Sequence, residues 1–497
     1  MKAAVIIFTY RHHRSYVLIQ RSVFSFFLYN YTQILSPFYP WNSVNFHHQC
    51  SAKQIHIHLR KRTINNIMAP RISSWPEWNN LSSTDRNIKS ADSWIEARQK
   101  EEGADGLWRI YDGLYDLKQW IHKHPGGPQW LEITKGTDIT ELFETYHFNQ
   151  KAARDVMGTF YVCRAKTPRK SPFTFKPDGF YSVLKSRVKK KLSEINRREV
   201  SIKSILVIDT WFFATLILCA AVAQTQSAVL ALFAGISLGL GTVASHNFTH
   251  LKDNWRMYYM QLSLFSVREW RISHVISHHV YTNTVQDLEM TLLHPFIHWF
   301  PTDDKPPLVR YTPYLTLIAY PLIAPGQFVI RTFKRMNDKA DLLMFVIPVI
   351  LMICGRMTIG LVLNMWLIMV LSSSSVFLFL GFSVSHHLPN NFHDGDHING
   401  KDIDWGIHQM DTSEERNEIT DNIFVSLVTF SDHTLHHLFP SLDHSLIPFL
   451  QDTYINTCEE FGLDRTSKPF SSIVRGQFKQ LVRLNPNDPK RKQCLKN

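Results

Sequence analysis

Several features that would narrow this 497-residue chain to a familiar class are missing. Its six cysteines, Cys50, Cys163, Cys219, Cys354, Cys458 and Cys494, are scattered, with no CxxC and no paired spacing. That argues against disulfides and cysteine-held metals, and suits soluble parts facing a reducing compartment. Acidic residues are absent from residues 1–67, which carry eight basic ones, leaving 46 basic against 42 acidic in the rest. The net charge of +12 therefore sits mostly at one end, and with no basic stripe beside a binding motif it does not indicate nucleic acid. The same end lacks a clean apolar core, a small-residue cleavage site and helical amphipathicity, and is too aromatic for a transit peptide. It reads as a non-native or disordered extension with Met68 as the expected start, which N-terminal peptide mapping would check. The C-terminus shows no dilysine or KDEL-type signal.

What is present is distributed unevenly, so the mean hydropathy of −0.15 says little. Residues 68–204 are charged and soluble in character, and apolar runs cluster between 205 and 383. The expected organisation is a tether (68–98), a small α+β module (99–166), a basic linker (167–204), an all-α membrane domain of about four spans (205–455) and a cytosolic tail (456–497). Lys185, Arg187, Lys189, Lys190, Lys191, Arg197, Arg198 and Lys203 precede the first apolar run, predicting a cytosolic flank. Ile205–Val222 and Ala228–Ala244 read as one transmembrane hairpin, and Leu342–Ile353 with Ile359–Phe382 as a second. Leu315–Ile330, interrupted by Pro321 and Pro325, reads as interfacial or re-entrant. An even number of spans then separates the histidine motifs near 250 from those near 390, so all can share one face.

In the soluble module, His124-Pro125-Gly126-Gly127 forms a tight turn that allows close backbone approach to a planar ligand, and His147 follows 23 residues later. Together with YDLKQWIHK before it and GTDITELFE between, this resembles the cytochrome b5 family. The resemblance covers about 75 residues and implies that His124 and His147 are the axial ligands of haem b. Two imidazoles would fill both axial positions and favour electron transfer. Glu132, Asp138, Glu141 and Glu144 are expected either to surround an exposed haem edge and steer a basic donor, or to form a solvated helix face.

Four histidine-rich motifs follow: His246-Asn-Phe-Thr-His250; His274-Val-Ile-Ser-His278-His279; His386-His387 with His393 and His397; and His433-Thr-Leu-His436-His437. Spacings of three and four place imidazoles on one helix face. Imidazole suits iron, copper, nickel and zinc alike, but eight histidines in the three tight motifs imply two ions, and a neighbouring one-electron donor selects iron. His294, His298, His408 and His444 read as ordinary side chains, and Asn247-Phe-Thr249 as an accidental glycosylation match.

From residue 203 to about 450 the pattern resembles the membrane fatty-acid desaturases. WRISHVISHHVYTN is similar to their second box, and HTLHHLFPSLDHS to their third. The resemblance implies di-iron ligation by His246, His250, His274, His278, His279, His433, His436 and His437, with one of His386 or His387. It also implies a membrane acyl-lipid substrate, O2, a cytochrome b5 reductase or similar donor, and an endoplasmic-reticulum location. His433 stands where fused front-end desaturases usually have Gln, and Ser385-His386-His387 replaces an expected Asn–His pairing. Desaturation, hydroxylation and a non-catalytic carrier with a lapsed iron site therefore all stand as readings. The order of module, spans and boxes most resembles the insect cytochrome b5-related proteins.

Overall fold

The computed structural model describes residues 73–489 except 80, 85–89, 295–296, 303–304, 306–308, 310, 335–337, 383–384, 399, 401 and 418–421. The N-terminal extension and Met68 lie outside the described residues.

The soluble module opens with helix α1 (Ala91–Glu101), whose N-cap Ser90 accepts a hydrogen bond from the Ser93 N–H. Strands β1 (Trp108–Ile110), β2 (Gly113–Tyr115) and β3 (Tyr161–Arg164) form an antiparallel sheet in that order. Helices α2 (Pro128–Thr134), α3 (Thr140–Tyr146) and α4 (Gln150–Gly158) enclose a small core of Trp108, Ile110, Leu117, Leu131, Ile139 and Phe143. Proline at the first turn of α2 costs nothing, since its missing N–H would have had no partner there.

The segment expected to be a tether and the basic linker each contribute buried side chains to the protein interior. Trp75 and Trp78 are 1% and 2% exposed, and α5 (Phe180–Ser193) buries Phe180, Tyr181, Leu184 and Val188. These residues share one core with Tyr281, Trp405, Leu435, Leu438 and Phe439. Ile133 of the soluble module belongs to the same core, so the interior runs without a break from that module into the histidine-bearing segments.

Among the described residues, four helices are long and apolar enough to cross a membrane: α6 (Arg197–Thr225), α7 (Ala228–His250), α8 (Thr312–Lys334) and α10 (Ile359–Phe382). Two expectations change here. The stretch Leu315–Ile330 lies inside the continuous α8, whereas Leu342–Ile353 is a 3-10 turn followed by α9 (Val346–Cys354), too short to span. The physical reason is a splice. Pro321 and Pro325 interrupt the hydrogen-bond ladder of α8, and the hydroxyl of Ser374 on α10 bridges the gap, accepting from Ala324 N–H at 3.2 Å and donating to the Tyr320 carbonyl at 2.5 Å. A neighbouring hydroxyl can thus satisfy backbone groups freed inside a bilayer. Two candidate spans, α8 and α10, lie between the motifs near 250 and 390, so their number stays even after the exchange of segments.

Candidate metal centres

In the soluble module, His124 caps a 3-10 turn and His147 caps α3, bringing the two rings to 6.2 Å between centroids at 65°. His124 Nδ1–H donates to the Gly127 carbonyl and His147 Nδ1–H to the Phe143 carbonyl, each at 3.0 Å. A carbonyl can only accept, so both rings carry their proton on Nδ1 and keep an Nε2 lone pair. Two imidazoles on opposite sides of one iron, each bound at about 2 Å, would have centroids about 6 Å apart. The pair therefore fits axial haem ligation. Burial pushes His147 down to about 4, holding it in the neutral form that a metal requires, although its bond to the Phe143 carbonyl acts the other way.

The two glycines after His124 serve different neighbours. A Cβ on Gly126 would lie 2.9 Å from Cε1 of His124, while one on Gly127, at φ +107°, would overlap the side chain of Asp253 in the membrane domain. The expected acidic rim is corrected. Asp138, Glu141 and Glu144 are buried, the first two paired with Arg169 and the third with Arg154, and Glu144 also accepts from the Tyr111 hydroxyl at 2.9 Å. Carboxylates at such depth are tolerable only when paired. Glu132 alone of the four is exposed, so three of the four can neither steer a donor nor form a solvated face.

The histidine motifs converge at the C-terminal end of α7. His246 and His250 end that helix, and His433, His436 and His437 lie on α11 (His433–Leu438). The second motif forms a π-helix, Arg271–His278, with the His279 N–H bonded to the His274 carbonyl. At about 4.4 residues per turn, a π-turn brings positions five apart onto one face, which an α-helix would not. This is how His274 and His279 come to face each other, with their Nε2 atoms 3.1 Å apart.

Two nitrogen groups result. In the first, His246 Nε2 lies 2.8 Å from His250 Nε2, 2.9 Å from His274 Nε2 and 3.3 Å from His436 Nε2, with His279 completing the set. In the second, His386 Nε2 lies 2.9 Å from His437 Nε2 and 2.7 Å from His433 Nε2, with His278 alongside. Of the alternatives His386 and His387, the structure brings His386 to the group. His387 instead stacks on Trp299 at 3.7 Å, and His393 and His397 join neither group.

The tautomers decide what these contacts mean. His386 Nδ1–H donates to the Thr412 carbonyl at 3.0 Å and His437 Nδ1–H to Gln409 Oε1 at 3.0 Å. Their facing Nε2 atoms are therefore both lone pairs, which repel unless a cation lies between them. Nitrogens at right angles around one ion, each at about 2.1 Å, lie about 3 Å apart, in line with the spacings here. The donor set fits two imidazole-bound ions. Burial holds His274, His279, His386, His433, His436 and His437 far below the ordinary imidazole value and hence neutral. His278 is the exception: burial lowers it, but the charges of Asp287 and Glu289 outweigh that and raise it.

Residues that spacing did not reveal orient these rings. Asp287 accepts from His278 Nδ1 at 2.8 Å, and Glu289 accepts from His274 Nδ1 at 2.9 Å while standing 3.8 Å from His278 Nδ1. Carboxylates behind metal-bound imidazoles are a general device, and the Asp-Leu-Glu run just after the second motif was the available signal. Ser385 fixes the His386 loop by donating to the Glu414 carbonyl and accepting from its N–H. His444, read as ordinary, lies 4.2 Å from the His436 ring and shares Asn247 Oδ1, which leaves Asn247 1% exposed. His408 lies elsewhere, packed against Trp75 and Phe173.

Comparison with known proteins adds an independent line. Residues 93–166 match the cytochrome b5-like haem/steroid binding domain, and residues 223–469 match the fatty acid desaturase domain. A cytochrome b5-related protein of Drosophila melanogaster is 37% identical over 405 residues, covering 80% of this chain and 92% of its own. One from Drosophila virilis is 45% identical over 106 residues, 21% of this chain and 73% of that one. A probable Delta(5) fatty acid desaturase of Dictyostelium discoideum is 25% identical over 452 residues, 81% of this chain and 96% of that one. No solved structure matches.

Proposed function

We propose, on the premise that the chain belongs to the cytochrome b5-related protein family and joins a cytochrome b5-like domain to a fatty acid desaturase domain, that it desaturates a lipid acyl chain with electrons relayed through its own haem. His124 and His147 would hold haem b. His246, His250, His274, His279 and His436 would hold one non-haem iron, and His278, His386, His433 and His437 the other. Bound iron would supply O2 activation and hydrogen removal from unactivated carbon. In balance, a saturated carbon pair, O2, two electrons and two protons give a double bond and two waters.

The chain's own residues set the conditions. Asp287, Glu289 and Gln409 hold the imidazole protons on Nδ1 so that Nε2 faces inward. Trp270 stacks on His274 at 4.3 Å and Phe430 packs on His246 at 4.8 Å, keeping water from the cluster. The observation that carries the reading is the facing pair of lone pairs on His386 and His437, within a buried cluster of nine imidazoles beside a bis-histidine site. The basic flank before α6 and the even number of candidate spans support boxes and haem that face the cytosol, and the likeness to the desaturases supports an endoplasmic-reticulum membrane. The electron donor is a cytochrome b5 reductase or a similar flavoprotein.

Lipid mass spectra of cells expressing the wild type and His436→Ala test this reading. A product lighter by two hydrogens, present only with the wild type, supports it. Oxygen gain would indicate hydroxylation, and haem-loaded protein without iron would indicate a non-catalytic carrier.

A further inference from the structure

Three observations place the haem module against the iron cluster rather than merely near it. Tyr146, which precedes the haem ligand His147 in the chain, sets its phenol oxygen 3.3 Å from Nδ1 of His250. The Gly126 carbonyl accepts from the Asp253 N–H at 3.0 Å, three residues beyond His250. Arg271, fully buried, ties the seam together: it donates to the Thr249 carbonyl at 3.0 Å and to Asp253 at 2.5 Å, binds Gln129 of the haem module, and lies 4.3 Å over the Trp130 ring.

We propose that the haem module is held permanently against the membrane domain, and that Tyr146 is the positioning residue joining the two metal sites. Its backbone leads directly to His147, and its side chain anchors His250. With His250 Nε2 turned to the ion, Nδ1 carries the proton and donates it to the phenol oxygen. The contact is thus a hydrogen bond between a group covalently continuous with one ligand set and a member of the other. A shuttling module would need to leave this surface, whereas here the turn that follows His124 is bonded to the membrane domain through the Asp253 N–H. A side chain at Gly127 would overlap Asp253, so the close fit depends on that glycine.

The step is a single-electron transfer. His124 and His147 would hold the haem that gives up one electron, and His250 would be among the residues holding the ferric ion that takes it. Haem iron would be oxidised and non-haem iron reduced with no bond formed or broken, and a nicotinamide-dependent flavoprotein reductase would refill the haem. The inference rests on the proposed ligand sets and goes beyond them in naming the crossing point.

The test uses full-length protein in detergent, loaded with haem and iron. Haem is reduced anaerobically, and its reoxidation by the ferric site is followed by stopped-flow absorbance. Tyr146→Phe should keep haem content, iron content and haem midpoint potential, and should change the Mössbauer spectrum of the iron whose ligand lost its acceptor. Haem reoxidation should slow on the order of tenfold. An unchanged reoxidation rate in that variant overturns the proposal.

Arg271→Gln keeps the phenol and loosens the seam. Faster hydrogen exchange across residues 124–130 together with slower haem reoxidation supports permanent docking, and faster exchange at an unchanged rate overturns it. Wild-type protein that reoxidises its haem at the ferric site yet converts no acyl chain would refute the desaturase reading while leaving this one standing.

Discussion

His124 and His147 stand 23 positions apart in one small module and are oriented by two backbone carbonyls. The nine clustered histidines come from α7, a π-turn, the loop after α10 and α11, and their orienting partners are mainly side chains. The first site is local and asks little of the rest of the chain. The second exists only when widely separated segments pack around it, so it depends on the entire membrane domain.

The widest break of that contrast is reciprocal. His436→Ala should abolish acyl product and deplete iron while leaving haem absorbance intact, and His124→Ala should abolish haem binding while leaving iron in place. Metal analysis beside absorbance spectra checks both, and loss of both metals in either variant would merge the two sites into one cooperative unit. A smaller effect separates their orienting groups. Asp287→Asn should weaken iron binding about 10–100-fold in chelator competition, with haem affinity unaffected.

On the haem side, carbonyl orientation cannot be removed by substitution, so the sensitive position is a glycine. Gly126→Ala forces a methyl against the His124 ring and should weaken haem binding by about 1–3 kcal/mol in apoprotein titration, at constant iron content. The mildest test concerns the core beneath both sites. Burial pushes His408 down to about 3, its bond to the Thr282 carbonyl opposing only in part. The unfolded chain takes up that proton near the ordinary value while the folded one does not, so stability falls as pH drops from about 6.5 towards 3. His408→Asn should flatten the acid-unfolding slope followed by circular dichroism.

Much of the candidate site was legible in the sequence. His124 with His147 and the three tight boxes offer ligand-type residues at short spacing, which local helix geometry converts into convergence. His279 was harder: five positions from His274 it lies off an α-helical face, and only the π-turn returns it. The choice between His386 and His387 turns on which ring Trp299 captures, a contact between segments distant in sequence. Pro321 and Pro325 disguised a span because the compensating hydroxyl, Ser374, lies on another helix. The acidic residues of the haem module misled for the same reason, since Arg169 lies beyond the module's last strand, in the segment read as linker.

If the haem module is docked as proposed, the seam at Arg271 and Asp253 would also set a stoichiometry. A free carrier can leave after one delivery and be replaced by a charged copy, but a fixed haem serves only the iron beside it. On the proposed reading, haem would hold one electron at a time and each double bond would consume two, so a reductase would have to recharge the same docked haem twice in every cycle. Catalytic throughput should then follow the supply of reductase and be indifferent to the cell's pool of free cytochrome b5.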